Sequence, residues 1–420
     1  MSFLRRTFLQ ALGSCAVASP FIAKAQTGQR VVVVGGGIGG ATVLKYLKRL
    51  NPTLKLILIE PNSTFIMCPM SNRVLTGSLN IRDISKPYDQ FISRHGIQWV
   101  KQSASSIDPT KKIVIAGKEV IPYDRLIVAP GVDYSYENVP GMESAEAQQM
   151  IPHAWKAGEQ TQRLKAMLYE MPKGGVIGIH IPKVPYRCPP GPYERASLIA
   201  DYLKNHNPTA KLFVLDSNPD IQSKKELFQN AWKKQYANVL EYIPNAEVES
   251  VDAKLKTITF MTHPKQKFDV LNLIPPQKAG LIAVNTGLAN VSSRWCGVDF
   301  LTYESLVHKG IHVLGDSVSG SPGMPKSGHM ANQEAKVCAG AIAALTLGVP
   351  VPDTPIIANT CYSFTSPSEA IHVASVHRYD AAKKAMVVVP GSGGLSTAPS
   401  SAEALYAMSW AGNIMNDALL

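Results

Sequence analysis

Apolar positions in this chain cluster into short unbroken runs closed by glycine, proline or asparagine, which is the pattern of strands buried on both faces. Arg30-Val31-Val32-Val33-Val34 is the first run, and Gly35-Gly36-Gly37-Ile38-Gly39-Gly40 follows as a tight turn. Ala41 to Leu50 reads as a helix, Asn51-Pro52-Thr53 breaks it, and Leu54 to Glu60 reads as the next strand. A second nucleus starts with the strand Gly174 to Ile181. It continues through a helix from about Glu194 to Asn205 and a strand from Lys211 to Leu215 that ends in Asp216. Ile311 to Leu314 is a third short strand, ending in Gly315-Asp316. Gly323 to Leu347 reads as a loop leading into a long Ala-rich helix, and Pro350 to Asp353 as a linker to a small α+β segment.

The start of the chain predicts a leader rather than part of a fold. Arg5-Arg6 precedes an apolar stretch from Ala11 to Ile22, and Ala23-Lys24-Ala25 gives the small-x-small pattern cut by signal peptidases. The stretch is too short to span a bilayer. A paired arginine followed by Thr7-Phe8-Leu9 resembles a twin-arginine signal, which predicts export, already folded, to a bacterial periplasm. No later segment is long and apolar enough to cross a membrane, so no stable membrane insertion is expected.

Composition narrows the classes further. The formal net charge is +11, but no run of five like charges occurs, so a nucleic-acid role is not indicated. Cys15 belongs to the leader, and Cys68, Cys188, Cys296, Cys338 and Cys361 remain. None is spaced as CxxC, and no Cys/His cluster has zinc spacing, so no metal site is expected. The odd count allows two disulfides with one thiol over, or one disulfide with three cysteines used otherwise.

Gly35, Gly37 and Gly40 fit GxGxxG between a strand and a helix, and Glu60 closes the next strand. That context predicts a dinucleotide whose phosphates sit on the helix N-terminus and whose ribose hydroxyls bond Glu60. The strand Tyr123 to Val128 with Ala129-Pro130-Gly131 resembles the segment that closes over FAD in two-domain disulfide reductases, with Pro130 replacing threonine. Gly315-Asp316 resembles the second flavin signature, whose aspartate holds the ribityl chain. The predicted fold is α/β: two Rossmann-like dinucleotide-binding domains of the glutathione-reductase type plus a small α+β C-terminal interface domain. The expected boundaries are 1–25 signal peptide, 26–150 and 285–350 for the two parts of the FAD domain, 151–284 for a degenerate NAD-like domain, and 351–420 for the interface domain. The second domain is degenerate because Pro182-Lys183-Val184-Pro185-Tyr186-Arg187-Cys188-Pro189-Pro190-Gly191-Pro192-Tyr193-Glu194 follows its first strand. Prolines there remove the N–H donors a nicotinamide dinucleotide would need.

Cys68-Pro69-Met70-Ser71-Asn72, the Cys188 to Glu194 loop, Pro325-Lys326-Ser327-Gly328-His329-Met330-Ala331-Asn332 and Cys361-Tyr362-Ser363 together resemble the flavoprotein subunit of flavocytochrome c sulfide dehydrogenase. The resemblance covers nearly the whole chain. It implies FAD attached covalently through its 8α-methyl group to Cys68, and a redox-active disulfide between Cys188 and Cys361. It further implies Pro69, Asn72, Ala129, Gly131, Gly315, Asp316, Lys326, Ser327 and Asn332 as cofactor-binding residues. The odd cysteine count then follows from a flavin thioether, with Cys296 and Cys338 left as buried thiols.

The same resemblance implies sulfide as substrate: HS⁻ attacks the disulfide, and the released thiolate passes two electrons to the flavin. Glu194 is the candidate base, although a carboxylate exposed on a helix's first turn is also favoured by the dipole alone. Electrons then leave for a haem on a separate c-type cytochrome, since this chain has no CxxCH. Residues Ser400 to Leu420 offer Leu405, Tyr406, Met408, Trp410, Ile414 and Met415 without Lys or Arg, which predicts a surface for a protein partner in a heterodimer. Two alternatives stand: a sulfide:quinone oxidoreductase, and a flavoprotein maintenance factor of a sulfur-oxidising complex.

Overall fold

The structure is a computed structural model that describes residues 28–420. The expected leader, residues 1–25, lies outside the described residues.

β-branched residues fill the centre of the first sheet, where strands covered on both faces need stiff apolar side chains. Strand β1, Arg30–Val34, runs into helix α1, Ile38–Leu50, and β2, Lys55–Ile59, follows. Helix α1 starts earlier than the expected Ala41, because Gly39 and Gly40 take up its first turn. β3, Gln98–Val100, and β4, Arg125–Val128, complete the first pass through this sheet. β1 lies parallel between β2 and β4, with Val32 opposite both Ile57 and Leu126.

The chain then builds a second parallel sheet. β5, Val176–Ile181, leads into helix α2, Gly191–His206, and then come β6, Lys211–Asp216, helix α3, Lys225–Gln235, β7, Leu240–Ile243, and β8, Val270–Leu273. Their order is β7-β6-β5-β8. Helix α2 begins at Gly191, not at the expected Glu194. The prolines do not delay it: the first turn of a helix has no partner for its N–H groups, so proline fits there.

The chain next returns to the first sheet through β9, Val298–Asp299, β10, Glu304–Ser305, and β11, Ile311–Val313. β11 pairs parallel with β4, which gives the order β9-β10-β11-β4-β1-β2-β3. Strands from either side of the second sheet thus share one sheet. Helix α4, Gly328–Leu347, starts from a Ser327 cap whose hydroxyl accepts from the Met330 amide.

The end of the chain is a long antiparallel pair, β12, Ile356–Ser366, and β13, Glu369–Asp380, with β14, Ala385–Val388, and helix α5, Ser401–Leu419. One core runs from β1 through Cys338 on α4 to Ala407, Ile414 and Met415 on α5. The expectation that Ile414 and Met415 belong to an outer docking surface is therefore corrected, because their face of α5 is the one the fold buries. Leu405, Tyr406 and Met408 are exposed on the same helix. Among the described residues no helix is long and apolar enough to cross a membrane.

Candidate functional site

The carboxyl ends of β1, β4 and β11 meet above one cavity of about 350 Å³. Its wall includes Gly35, Gly37, Glu60, Cys68, Pro69, Asn72, Ala129, Gly131, Cys188, Glu194, Gly315 and Asp316. Twelve residues singled out in the sequence thus converge from six separate segments on one space, the crevice where open α/β sheets bind ligands.

The glycines divide the labour of the turn. Gly35 has φ +97°, a region closed to most side chains, and a β-carbon there would strike the Ala129 carbonyl. A β-carbon on Gly40 would strike the Gly35 carbonyl oxygen, so Gly40 serves the packing of α1 against β1 and does not line the cavity. Gly37 faces open space, with nothing within 4 Å of an added β-carbon. Backbone and helix N-terminus are therefore exposed to the cavity where a pyrophosphate would lie. Glu60 accepts from the Gly36 amide at 2.9 Å and from the Asn62 side chain at 2.6 Å, while still facing the cavity.

At the other end, Asp316 is half-buried, and its buried Oδ1 has no hydrogen-bond partner among the described residues. Burial raises its pKa, opposed by Arg187 and Lys326. An unpartnered buried acceptor on the cavity wall is what a polyol chain such as ribityl would satisfy. An open phosphate cradle, an acid for ribose and this orphaned acceptor together fit FAD.

The cysteines sit between these ends. Cys68 opens a short helical turn, Cys68–Met70, its carbonyl accepts from Ser71 Oγ at 2.7 Å, and the Ala157 amide approaches its sulfur at 3.5 Å. Cys188 has φ +56°, and its amide bonds the Lys326 carbonyl at 2.8 Å. Burial pushes the Cys188 thiol up to about 12, with Cys361 and Glu194 adding to the rise. Cys361, on β12, is a neighbour of Cys188 but does not line the cavity; its thiol donates to Asn359 Oδ1 at 3.5 Å. Cys188 and Cys361 carry no bond to each other in this structure, so the pairing implied by the family resemblance is not formed in it. Cys296 and Cys338 are buried, as expected.

Glu194 is not an exposed first-turn carboxylate. It is buried, accepts from Asn72 Nδ2 at 2.8 Å and from the Phe364 amide at 2.9 Å, and burial raises its pKa. Asn72 also donates to the Gly191 carbonyl at 3.2 Å and accepts from Arg195 Nε at 3.0 Å. One polar network therefore joins the Cys68 motif to the Cys188 loop and to β12. Three residues expected to bind cofactor are placed elsewhere. Lys326 lies 3.8 Å over the Trp295 ring and donates to the Asp316 and Val318 carbonyls. Ser327 caps α4 and donates to Asn359 Oδ1 at 2.8 Å, and Asn332 donates to Thr42 and Asp417. Their side chains hold the wall and are not part of the main cavity lining, because neighbouring elements engage them.

Sequence reasoning gave no role to Arg187, Arg195 or Lys224. Arg187 lines the cavity; burial opposes its charge, but Cys68, Tyr134, Asp316 and Cys188 outweigh burial and hold its pKa above the usual value. Arg195 is buried and donates to Asn72, His153, Asn272 and Ala154. A charged pair, Glu194-Arg195, at the start of a helix whose next five residues carry no charge was the available signal. Lys224 had none.

Three family models match segments of the chain. "Sulfide dehydrogenase (flavocytochrome c) flavoprotein chain, central" matches residues 161–275, and "Flavocytochrome c sulphide dehydrogenase, flavin-binding" matches 353–419. "Pyridine nucleotide-disulphide oxidoreductase" matches 29–173. A sulfide dehydrogenase flavoprotein chain from Chlorobaculum thiosulfatiphilum is 54% identical over 46 residues, 11% of this chain and 96% of that sequence. A mitochondrial sulfide:quinone oxidoreductase from Dictyostelium discoideum is 23% identical over 331 residues, 77% of this chain and 72% of that one. The solved sulfide:quinone oxidoreductase of Aquifex aeolicus shares the fold, with a TM-score of 0.74 at 20% identity, over 93% of this chain and 92% of that one.

Proposed function

The chain belongs to the family of flavocytochrome c sulfide dehydrogenase flavoprotein chains, and from that premise we propose that it oxidises sulfide with a covalently held FAD and a Cys188–Cys361 disulfide. Electrons go on to a c-type cytochrome subunit, and the protein works in the periplasm after export on its twin-arginine leader. The observation that carries this reading is that Cys68 and Cys188 stand on the wall of one cavity whose other residues fit FAD, with Cys361 beside Cys188.

The chain's own residues would act as follows. Cys68 bonds the flavin, Gly35 and Gly37 admit the pyrophosphate, Glu60 takes the ribose hydroxyls and Asp316 the ribityl chain. Bound FAD supplies an acceptor for two electrons that can release them one at a time. Hydrosulfide attacks one sulfur of the disulfide, a new S–S bond forms, the old one breaks, and its electron pair leaves as thiolate on the second cysteine. Glu194, held by Asn72 and the Phe364 amide, would take the proton of the persulfide formed. Arg187 keeps the cavity electropositive while anionic sulfur enters.

Similarity to sulfide:quinone oxidoreductases over 77% of the chain supports a second reading, with quinone as acceptor. Helix α5 carries no Lys or Arg for a lipid headgroup surface, and its exposed Leu405, Tyr406 and Met408 favour a protein partner. Mass spectrometry of the acid-denatured protein tests the main reading. An FAD-sized mass on the Cys68 peptide and a reductant-sensitive link between the Cys188 and Cys361 peptides are expected. Flavin that washes off, with the two cysteines unlinked, would refute it. Comparing sulfide-driven reduction of cytochrome c with that of a soluble quinone then separates the two acceptors.

A further inference from the structure

The geometry points to Lys224 as the positioning residue that makes the two sulfurs unequal: its ammonium is the counter-ion of the Cys361 thiolate, so Cys361 leaves and Cys188 receives the incoming sulfur. This rests on the disulfide reading above and goes beyond it by fixing the direction of attack.

Lys224 is a lysine almost wholly removed from solvent, 5% exposed, at the start of α3 and far from both cysteines in sequence. Its backbone has φ +56°, a conformation non-glycine residues seldom adopt without a constraint from their surroundings. Its Nζ donates to the Cys361 carbonyl at 2.9 Å and to Ser363 Oγ at 2.8 Å, so it grips β12 on both sides of Tyr362. The Phe228 ring lies 6.0 Å away. The charged and titratable groups that face it come from three other directions: Cys361 on β12, Glu194 and Cys188 on α2 and its preceding loop, and Glu403 on α5. Burial lowers its pKa to about 8, against the pull of these groups. The cation thus remains largely charged at neutral pH.

The two sulfurs feel this charge differently. For Cys361, burial raises the thiol's pKa and Lys224 is the foremost influence opposing it, helped by hydrogen bonding with Asn359 and Ser327, with Glu194 acting the other way. For Cys188, burial, Cys361 and Glu194 raise the pKa, and Arg187 and Lys224 oppose them only after those. Arg187 is also drawn toward Cys68, Tyr134 and Asp316, and donates to the Trp155 carbonyl on the cavity side. The hydrogen bonds of the ammonium to the Cys361 carbonyl and the Ser363 hydroxyl put it on the Cys361 side of the pair. The opening step balances on this basis: HS⁻ bonds to Cys188 Sγ, the S–S bond breaks, Cys188 becomes a persulfide, and Cys361 keeps the electron pair as a thiolate beside the ammonium. A lower-pKa thiol is the faster leaving group.

The test uses the full-length flavoprotein reduced with dithiothreitol, alkylated with iodoacetamide across a pH series, and read peptide by peptide. In the wild type the Cys361 transition should fall below that of Cys188. Lys224→Met should raise the Cys361 transition by about one to three pH units, the size of a close opposite charge, and Lys224→Arg should restore it. Sulfide reduction of the flavin in Lys224→Met should slow by about ten-fold, because a leaving thiol of higher pKa leaves more slowly. An unchanged Cys361 transition in a folded Lys224→Met protein would overturn the inference. If that variant does not fold, a wild-type Cys361 transition at or above that of Cys188 would overturn it. A wild-type protein whose flavin ignores sulfide would refute the proposed function instead, and the alkylation profiles would still decide the role of Lys224.

Discussion

At the end of β2 stands Glu60, and at the corresponding end of β6 stands Asp216. Both close the second strand of a strand–helix–strand nucleus, the place from which an acid reads the ribose of a dinucleotide. Glu60 receives three donors and still faces a cavity. Asp216 has no exposure and receives four: Tyr193 Oη at 2.7 Å, Tyr242 Oη at 2.9 Å, and the Asn218 amide and side chain at 2.9 and 2.8 Å. A carboxylate has about four acceptor positions, so Asp216 has none left for a sugar. The turns differ in the same sense. The first opens at Gly37, whereas the second is filled by Tyr186, Tyr193, Glu194 and Arg195, all buried. A shared topology has thus been kept for a ligand in one nucleus. In the other its helix start has been converted into a support for Cys188 and Glu194.

The contrast can be broken first at the glycine turn. Gly40→Val should cost about 3 kcal/mol or more, since backbone blocks the new side chain and cannot give way. Loss of retained flavin and a collapse in thermal stability would show it; a variant that keeps both would sink the account of this turn.

The two nuclei also titrate in opposite directions. Glu334 accepts from the Gly315 amide at the first nucleus, and burial lifts its pKa to about 7. The native state then holds a proton that the unfolded chain releases near the ordinary value of 4.5, so stability falls as pH rises from about 4.5 to about 7. His180, on β5, is held neutral by burial with a pKa of about 4, so its contribution is lost as pH falls from about 6.5 toward 4. Glu334→Gln should remove the first slope alone. The stability difference between variant and wild type should change by about 3 kcal/mol across that window, by denaturant titration at several pH values. Parallel curves would mean that Glu334 titrates normally.

Asp216→Asn should cost about 2 kcal/mol, because an amide cannot accept from all four donors. Flavin binding should be unaffected; a loss of flavin instead would place Asp216 in the ligand site after all. The smallest effect is expected at Glu60→Gln. In a Cys68→Ala background, FAD titration should show about ten-fold weaker binding, or about 1.4 kcal/mol, with little change in stability.

Much of the first nucleus was legible in the sequence because its signals are local. A valine run, three glycines at fixed spacing and an acid at the next strand's end lie within residues 30–60, and each constrains backbone directly. The start of α2 was misplaced by three residues because proline reads as a breaker until the helix's first turn is in view. Ile414 and Met415 read as outward-facing because composition does not say which face of α5 meets the core.

The sequence by itself determined the α/β fold and the flavin-type cradle at Gly35, Gly37 and Glu60. Both rest on spacing along the chain. Only the tertiary structure decided that Glu194 is buried and bonded to Asn72 and β12, that Asp216 is saturated, and that Lys224 stands against Cys361. These depend on contacts between residues more than a hundred positions apart or on competition for a carboxylate's few acceptor sites, and burial then sets their charge. No local pattern carries that information, because desolvation exists only once the chain has closed around the group.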